Sequence, residues 1–488
     1  MVRVPEGSPV RSLSRQIDSF AEEVQRRWDV PGLAVVVVRR DGPVHVGAYG
    51  VRNVETSVSA DIDTAFAIGS CTKGFTSSLA AALADAGKLD WDDPVRKYLP
   101  NFDLYDPWIS DHVTLRDLLA NRTGLSRASV GEYGSDLGRA DLLQQARFIQ
   151  PACGFRDQFS YCNVGYAAAA EAMAASAGRP FEHAMDEYLL RPLGLTRSTA
   201  ANASRIPADN VAAAHYKIDG KVRVVPPMVT DNLLGAIGQT MSARDAAKWL
   251  AFHLEQGASN GGRLISQQQL GETHLLQIAR RDRTLNEGYG LGWHVRNRRI
   301  QHDGAVRGFR ANVWCEREEG FAVFVASNLG AGLAHFAISY HVIQLVRGET
   351  VRDWIAHFVE MAKTELNERV ARFDRERLEE PVCASPWSLD NFVGTYKHDG
   401  FGVLHVEPRS DHLWFRIDGL SGFDGPLMRY SGLSFEYQGD RDAMAWSPIA
   451  IPTTPRGEAA RVRFHERANR IEALDWLDWF GKAHFVRQ

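Results

Sequence analysis

The stretch Phe66–Thr76, with the sequence FAIGSCTKGFT, places a serine and a lysine three residues apart at the start of a predicted helix. Positions i and i+3 share one helix face, so the Ser70 hydroxyl group and the Lys73 amine are expected to meet. A serine hydroxyl group is a weak nucleophile until a neighbour takes its proton, and a buried lysine at the positive end of a helix dipole can do so. The free N–H group of Ser70 is also expected to form half of an oxyanion hole.

The segments around this stretch predict an α+β fold. The chain opens with a helix over residues 11–28 and an apolar hairpin over residues 33–50. The Ser70 helix is rich in alanine and is expected to be central and buried. Residues 200–240 look rich in loops, and spaced strands with tight turns follow over residues 286–330. Because strands open and close this region while helices fill its middle, the terminal strands are expected to share an antiparallel sheet flanked by helices.

Three regions are predicted from these patterns. Residues 1–348 form the α+β unit, in which Thr114 and Ser242 are expected helix N-caps. Residues 349–384 are rich in charged side chains and predict a helical linker. In residues 385–488, aromatic and β-branched residues alternate with turns, which predicts a C-terminal all-β domain closed into a barrel.

The composition excludes several classes of partner. The 488 residues carry a net charge of −4 and no basic stripe, so no nucleic-acid partner is expected. No apolar run reaches the length of a membrane span, so no membrane partner is expected either. The arginines near the N-terminus are not followed by the apolar stretch of a signal peptide, which predicts a cytoplasmic protein. The five cysteines form no close-spaced pairs, which argues against a disulfide framework and against a zinc site.

A later motif, Tyr161-Cys162-Asn163, supplies side chains that would extend a serine-based site. It lies on a predicted loop just before a second alanine-rich helix. A tyrosine near an ammonium group ionises more readily, so Tyr161 is a candidate to take the Ser70 proton and pass it to a leaving group. Asn163 is a candidate hydrogen-bond partner of Lys73 and of a substrate amide.

A third motif, His302-Asp303-Gly304, lies on a predicted strand. Gly304 would let a substrate lie against the strand edge, and the backbone N–H group of Ala305 is expected to complete the oxyanion hole. His302 is a candidate to orient the tyrosine or a substrate oxygen. The three motifs together therefore predict nucleophilic catalysis by serine.

Taken in order, these motifs resemble the serine β-lactamase and penicillin-binding-protein superfamily, in its class C-like branch of esterases, D-amino-acid peptidases and amidases. The resemblance covers residues 16 to about 345, and His302-Asp303-Gly304 stands in the place of the family's Lys-Thr-Gly motif. Supporting matches follow the same order: Asp93-Pro94-Val95, Tyr98-Leu99-Pro100, Leu118-Leu119, Thr123-Gly124-Leu125, Pro192-Leu193-Gly194-Leu195 and Tyr289-Gly290-Leu291-Gly292-Trp293. The segment Phe392–Tyr396 resembles the lipocalin-like barrel appended to some peptidase members.

The resemblance implies an acyl-enzyme mechanism on a small-molecule or short-peptide substrate, with no metal and no organic cofactor. Ser70 would attack a carbonyl carbon, Lys73 and Tyr161 would move protons, and water would release the acid. The histidine at position 302, where β-lactamases carry a lysine, points away from antibiotic hydrolysis as the main activity. The barrel is expected to cap the cleft, to restrict substrate length or to build a homo-oligomer, and these alternatives stay open.

The charges beside the third motif leave the substrate open. If Asp303 faces the site, it would repel a carboxylate and favour an amine, as in an aminopeptidase or amidase. Asp303 could instead turn away and pair with Arg307 or Arg310. Arg307 could also bind a substrate carboxylate, which would favour a carboxypeptidase.

The function predicted from the sequence is a serine hydrolase of peptide, amide or ester bonds, including those formed by D-amino acids. An esterase or an acyltransferase on a small acyl substrate is the alternative among enzymes. The competing class is a catalytically silent binding or scaffold protein that retains the fold. The presence of Ser70, Lys73 and Tyr161 argues against that class, because a binding module has no need of all three.

Overall fold

The computed structural model describes residues 9–125, 137–200, 209–218, 220–259, 261–280, 287–379, 386–419, 424–437, 461–478 and 481–488. The predicted boundary between the linker and the barrel, at residues 384 and 385, lies outside these ranges. The division of the chain into three regions therefore stays a prediction.

A nine-stranded sheet with antiparallel pairing organises the first part of the chain. The strands of this part are, in chain order, β1 Gly32–Arg39, β2 Gly42–Asn53, β3 Val58–Ser59, β4 Phe66–Ala67, β5 Thr199–Ala200, β6 Ala214–Ile218, β7 Lys221–Val225, β8 Gln239–Met241, β9 Ala258–Ser259, β10 Gly262–Arg263, β11 Ile278–Ala279, β12 Glu287–Tyr289, β13 His294–Arg296, β14 Arg299–Val306, β15 Phe309–Glu316 and β16 Phe321–Ser327. The large sheet has the order β11-β12-β13-β14-β15-β16-β1-β2-β3. Because β1 pairs with β16 in antiparallel register from Leu33↔Ser327 onward, the expectation that the terminal strands share one sheet is confirmed.

Helices cover both faces of this sheet. They are α1 Pro9–Trp28, α2 Thr72–Asp85, α3 Pro107–His112, α4 Leu115–Leu119, α5 Arg139–Gln145, α6 Asn163–Ala177, α7 Phe181–Met185, α8 Leu234–Ile237, α9 Ala243–Leu254, α10 Gln267–Thr273, α11 Ala334–Arg347 and α12 Trp354–Glu379. Among the helices within the described ranges, none is both long and apolar enough to cross a membrane.

Strand β1 shows how the sheet separates two apolar layers. Successive side chains on a strand point to opposite faces. Val36 therefore packs in the cluster that contains Phe75 of α2, whereas Val35 packs in the cluster that contains Ile17 of α1 and Ile338 of α11. A strand buried on both faces reads as a continuous apolar run, which is the pattern of residues 33–38.

Helix starts follow the predicted capping residues. The Thr114 side chain accepts a hydrogen bond from the N–H group of Asp117, and the Asp117 side chain accepts one from the N–H group of Thr114, so the two form a capping box at the start of α4. Ser242 accepts from the N–H group of Asp245 at the start of α9. Both N-cap predictions are therefore confirmed.

The prediction of loops over residues 200–240 was wrong in part. Strands β6 and β7 pair as a hairpin with Ala214↔Val225 and Ile218↔Lys221 in register. Gly220 in the connecting turn has a φ of 76°, a conformation that glycine adopts without steric penalty. Each strand of the hairpin has only five residues. The alternation of apolar and polar side chains is therefore too short to stand out in the sequence from the loop-forming residues around it.

The C-terminal part of the chain forms a closed eight-stranded barrel. Its strands are β17 Gly394–His398, β18 Gly402–Pro408, β19 Leu413–Ile417, β20 Gly425–Ser431, β21 Ser434–Tyr437, β22 Arg461–Arg467, β23 Arg470–Asp478 and β24 Gly481–Arg487. Each strand pairs with the next, and β24 returns to pair with β17 through Tyr396↔Arg487, which closes the barrel. Buried aromatic side chains fill it, including Phe415 and Trp476, whose rings stack at 4.5 Å. The barrel prediction is confirmed.

Candidate active site

Ser70 lies in a one-turn 3₁₀ segment, Gly69–Cys71, directly before α2, and Lys73 lies in the first turn of α2. The spacing brings Lys73 Nζ within 3.2 Å of Ser70 Oγ. The local geometry therefore places the amine beside the candidate nucleophile, as the i, i+3 spacing predicts.

Lys73 is fully buried, at 0 % exposure, and its amine is held by acceptors from two other parts of the chain. Nζ donates to Asn163 Oδ1 at 2.8 Å and to the carbonyl oxygen of Ala236 at 3.1 Å. The Asn163 amide oxygen and the Ala236 carbonyl oxygen can only accept hydrogen bonds. Each of them therefore accepts one proton of the Lys73 amine. The direction toward Ser70 is left to carry either the third proton of an ammonium group or the lone pair of an amine.

Tyr161 approaches the same hydroxyl group from the other side. Its hydroxyl group lies 2.6 Å from Ser70 Oγ, and Lys73 Nζ lies 4.6 Å from the centre of its ring. Lys73 Nζ also lies 5.1 Å from the ring centre of Tyr166, a residue that the sequence analysis did not single out. An ammonium group between two aromatic faces is stabilised by both ring quadrupoles. A proton can thus move between Ser70, Lys73 and Tyr161 without crossing solvent.

Asn121 holds the loop that carries Tyr161. Its backbone has a φ of 54°, in the left-handed region that asparagine tolerates better than most residues. Its carbonyl oxygen accepts from the N–H group of Ser160 at 2.8 Å, and its Oδ1 accepts from the N–H group of Cys162 at 3.0 Å. The two hydrogen bonds bracket Tyr161. Sequence reasoning missed this role, although an asparagine directly after a short helix is a signal for a left-handed residue.

His302 is buried beside the site but is not bonded to Ser70. Its Nδ1 donates to the carbonyl oxygen of Asp303 at 2.6 Å, so its Nε2 accepts from the hydroxyl group of Tyr289 at 3.0 Å. Burial, with the nearby His294 and Lys73, holds the pKa of His302 well below its usual range, so the ring is neutral near pH 7. The ring centres of His302 and Tyr161 are 6.3 Å apart. Tyr289, which the sequence analysis did not assign to the site, fixes this histidine.

Strand β14 lies against the Ser70 turn through two glycines. A Cβ atom on Gly304 would lie 1.9 Å from the carbonyl oxygen of Ile68, and one on Gly69 would lie 2.6 Å from the backbone nitrogen of Ala305. Gly69 also has a φ of 50°. Because neither position has room for a side chain, the backbones of Ser70 and Ala305 belong to abutting segments. Their N–H groups are the pair predicted for the oxyanion hole.

Asp303 and Arg307 are half-exposed at the same edge of the sheet. Burial lowers the pKa of the Arg310 guanidinium group, and the nearby Asp303 carboxylate acts in the opposite direction. The alternative in which Asp303 pairs with an arginine therefore stays a prediction. The Nε atom of Arg307 is buried and has no hydrogen-bond partner among the described residues. The half-exposed Arg307 side chain therefore keeps a donor for a substrate.

One group of possible metal ligands adjoins the site. The ligand atoms of His294, His302 and Asp303 lie within 4.8 Å of one another. Both ring nitrogens of His302 are already engaged, by Tyr289 and by the Asp303 carbonyl oxygen, and the ring is buried. A hydrogen-bonded histidine of this kind fixes its neighbours and offers no free ligand atom.

This α+β fold carries a serine and a lysine one turn apart, with a tyrosine at the serine and a glycine-containing strand behind it. These features are typical of the serine hydrolases of the β-lactamase fold. The profile of the β-lactamase family matches residues 20–347, more than half of the chain, and the chain belongs to that family. The resemblance seen in the sequence is thereby confirmed.

Three known proteins show how this chain relates to its family. An unguisins hydrolase from Aspergillus campestris is 27% identical over 423 residues, which cover 79% of this chain and 77% of the relative. Penicillin-binding protein 4 from Amycolatopsis lactamdurans is 32% identical over 249 residues, which cover 49% of this chain and 63% of the relative. The solved structure of an octameric penicillin-binding-protein homologue from Pyrococcus abyssi superposes with a TM-score of 0.62 at 20% identity and covers 96% of this chain and 99% of its own. That last likeness extends through the barrel and concerns the fold.

Proposed function

We propose that this protein is a serine hydrolase that acts through an acyl-enzyme on peptide, amide or ester bonds, including those of D-amino acids. The observation that carries the proposal is the hydrogen-bonded group in which Ser70 Oγ lies 3.2 Å from Lys73 Nζ and 2.6 Å from the Tyr161 hydroxyl group. A relative named as a hydrolase supports hydrolysis over simple binding.

In the proposed acylation step, Ser70 Oγ forms a bond to the substrate carbonyl carbon while its proton passes to Tyr161 or Lys73. The negative charge that develops on the carbonyl oxygen is stabilised by the N–H groups of Ser70 and Ala305. The bond to the leaving amine or alcohol then breaks, and Tyr161 supplies the proton that this group needs. In deacylation a water molecule gives one proton to Tyr161 or Lys73 while its oxygen bonds to the acyl carbon. The bond from that carbon to Ser70 Oγ then breaks, Ser70 takes up this proton, and the acid is released.

His302 is proposed to act as a positioning residue in this scheme. It is neutral, buried and fixed by Tyr289, so it presents an uncharged edge where β-lactamases carry a lysine ammonium group. An uncharged edge attracts a substrate carboxylate less than an ammonium group does. This supports substrates other than β-lactam antibiotics.

Labelling with a fluorophosphonate, followed by intact-protein mass measurement, tests the nucleophile. We expect a single adduct on the natural chain and none on Ser70→Ala. Ser77→Ala is a matched control, because Ser77 lies one turn further along α2 and donates to the carbonyl oxygen of Lys73 at 3.0 Å. Absence of an adduct, together with no turnover of a reactive ester by a folded sample, would support the silent scaffold instead.

The charges of Asp303 and Arg307 are proposed to decide between substrate classes. Asp303 near the site favours substrates with a free ammonium group, and Arg307 favours those with a free carboxylate. Steady-state kinetics on D- and L-aminoacyl amides, N-acylated amino acids and simple esters would rank them. Loss of preference for amines in Asp303→Asn would assign the aminopeptidase or amidase class, whereas loss of preference for carboxylates in Arg307→Met would assign the carboxypeptidase class.

The fold also bears on the oligomeric state of the protein. The octameric homologue shares the fold, and we propose that this chain forms a homo-oligomer in the cytoplasm. Light scattering coupled to size-exclusion chromatography would give the mass in solution, and a monomer at micromolar concentration would contradict the oligomer.

A further inference from the structure

A cluster of two histidines and one aspartate lies on the outside of the barrel. His465 comes from β22, Asp475 from β23 and His484 from β24. The buried neighbours Leu474 and Trp476 belong to the core, so alternation along β23 directs Asp475 outward. Asp475 and His484 are directly opposite in the register of β23 and β24.

Both histidines are bonded to the carboxylate. His465 Nε2 lies 2.7 Å from Asp475 Oδ2, and His484 Nδ1 lies 2.6 Å from Asp475 Oδ1. The side chain of Asp475 is only 4% exposed, whereas those of His465 and His484 are 42% and 53% exposed. The two rings therefore cover an almost completely buried carboxylate while staying open to solvent themselves.

This arrangement matches the ligand set of a divalent transition-metal ion. One carboxylate oxygen and two imidazole nitrogens lie within 4.8 Å of one another. Imidazole suits Zn²⁺, Co²⁺ and Ni²⁺, whereas Mg²⁺ and Ca²⁺ prefer oxygen ligands. We propose that His465, Asp475 and His484 bind one such ion, with water completing its coordination.

The proposed ion would link strand β24 to strands β22 and β23. Strand β24 is the strand that closes the barrel by pairing with β17, and its side chain His484 would share the ion with the two preceding strands. Arg463, directly opposite Asp475 in the register of β22 and β23, adds a positive charge nearby that lowers the affinity for a cation. An ion that binds only the folded state stabilises it by an amount that rises with the logarithm of the free metal concentration, once that concentration exceeds the dissociation constant.

Titration of the full-length protein with Co²⁺ or Zn²⁺, after removal of any affinity tag and dialysis against a chelator, tests the proposal. We expect one equivalent of metal to bind, with Co²⁺ giving visible d–d absorption and Zn²⁺ raising the melting temperature. His465→Ala and His484→Ala should each weaken binding at least about tenfold and abolish the rise in melting temperature. Mg²⁺ should neither bind nor compete.

His405→Ala is the matched control on the same barrel. His405 Nε2 lies 3.0 Å from Asp418 Oδ2, so it forms a histidine–aspartate pair without a third ligand. This variant should bind metal as the natural chain does. Either of two results would overturn the proposal: no binding by the natural chain, or equal binding by His484→Ala, whose exposed side chain is removed without disturbing the core. Fluorophosphonate labelling of Ser70 is expected to be unchanged in every variant, so this test is independent of the proposed hydrolase.

Discussion

At Lys73, a fully buried amine is surrounded by oxygen acceptors and by two aromatic rings. Its Nζ lies 4.6 Å from the ring centre of Tyr161 and 5.1 Å from that of Tyr166. Tyr161 can exchange a proton with Ser70, but the hydroxyl group of Tyr166 donates to the carbonyl oxygen of Leu119 at 2.5 Å. Burial also raises the pKa of Tyr166 far above its usual range. Tyr166 therefore acts on Lys73 only through its aromatic face.

This difference between ring and hydroxyl group gives a prediction for position 166. Tyr166→Phe keeps the ring and should leave the pH dependence of kcat/KM unchanged. Tyr166→Leu removes it, and because a desolvated cation–π contact contributes up to about 2 kcal/mol, the ammonium form of Lys73 becomes less favoured. The limb of the pH profile that reports loss of the Lys73 proton should then move about 0.5–1 pH unit lower. Equal profiles for the leucine and phenylalanine variants would contradict a role for the ring.

At the scale of elements, the loop before α6 determines where Tyr161 lies. Asn121 brackets that loop through its own carbonyl oxygen and through Oδ1. A glycine at this position would keep the left-handed backbone, at a φ of 54° in the natural chain, while losing only the side-chain hydrogen bond to Cys162. The contribution of the amide can therefore be separated from that of the backbone.

We expect Asn121→Gly to lower kcat about tenfold while stability changes by no more than about 1 kcal/mol, the usual contribution of one hydrogen bond. A misplaced Tyr161 impairs proton transfer more than substrate binding, so KM should change little. Steady-state kinetics and denaturant unfolding of the same samples check both parts. Asn121→Asp, which keeps an acceptor oxygen, should recover most of the rate. A glycine variant with full kcat would show that the loop keeps its position without the Asn121 side chain.

Elements with a local signal were predictable from the sequence, and contacts between distant segments were not. The capping residues Thr114 and Ser242 act on groups three positions away, so the sequence shows both partners. The Ser70–Lys73 contact is equally local. In contrast, Tyr166 and Tyr289 look like ordinary core aromatics, because only the tertiary fold brings one to Lys73 and the other to His302.

For the molecule as a whole, buried histidines predict loss of stability in mild acid. Burial lowers the pKa of His253 and of His335 to about 3. In the unfolded chain a histidine has a pKa near about 6.5. The folded state binds fewer protons in this window, so the stability present above pH ~6.5 is lost as the pH falls toward 3. Each group should remove about 2 kcal/mol of the free energy of unfolding between pH 7 and pH 5.

Denaturant unfolding at pH 7 and pH 5 measures this loss directly. His335→Leu removes one buried titrating group, whose Nδ1 has no hydrogen-bond partner among the described residues, and should make the loss smaller. His357→Leu, which replaces a half-exposed histidine of α12, should leave the loss as it is in the natural chain. An identical loss in all three proteins would exclude His335 as a cause.

The barrel meets the first part of the chain at a contact that can be tested by paired substitution. A Cβ atom on Gly400 would lie 2.5 Å from Cβ, Cγ and Cδ2 of Phe148, and the Phe148 ring packs edge-on against His398 at 6.2 Å. Phe148 precedes the segment in which Pro151 bridges to Leu125, whose carbonyl oxygen accepts from Ser160 Oγ at 2.6 Å. The barrel turn at Gly400 therefore packs against the segment of the chain that leads to Tyr161.

Gly400→Ala should press this turn away from Phe148 and destabilise the docked state by about 1–3 kcal/mol, as overpacking does elsewhere. The atoms in the way all belong to Phe148, so Phe148→Ala in the same chain should make room and restore much of the loss. Calorimetry would show whether unfolding splits into two transitions in Gly400→Ala and rejoins in the double variant. The effects of two contacting residues on stability are coupled, whereas those of independent residues add. Strictly additive losses would therefore mean that the barrel and the first part of the chain do not meet here.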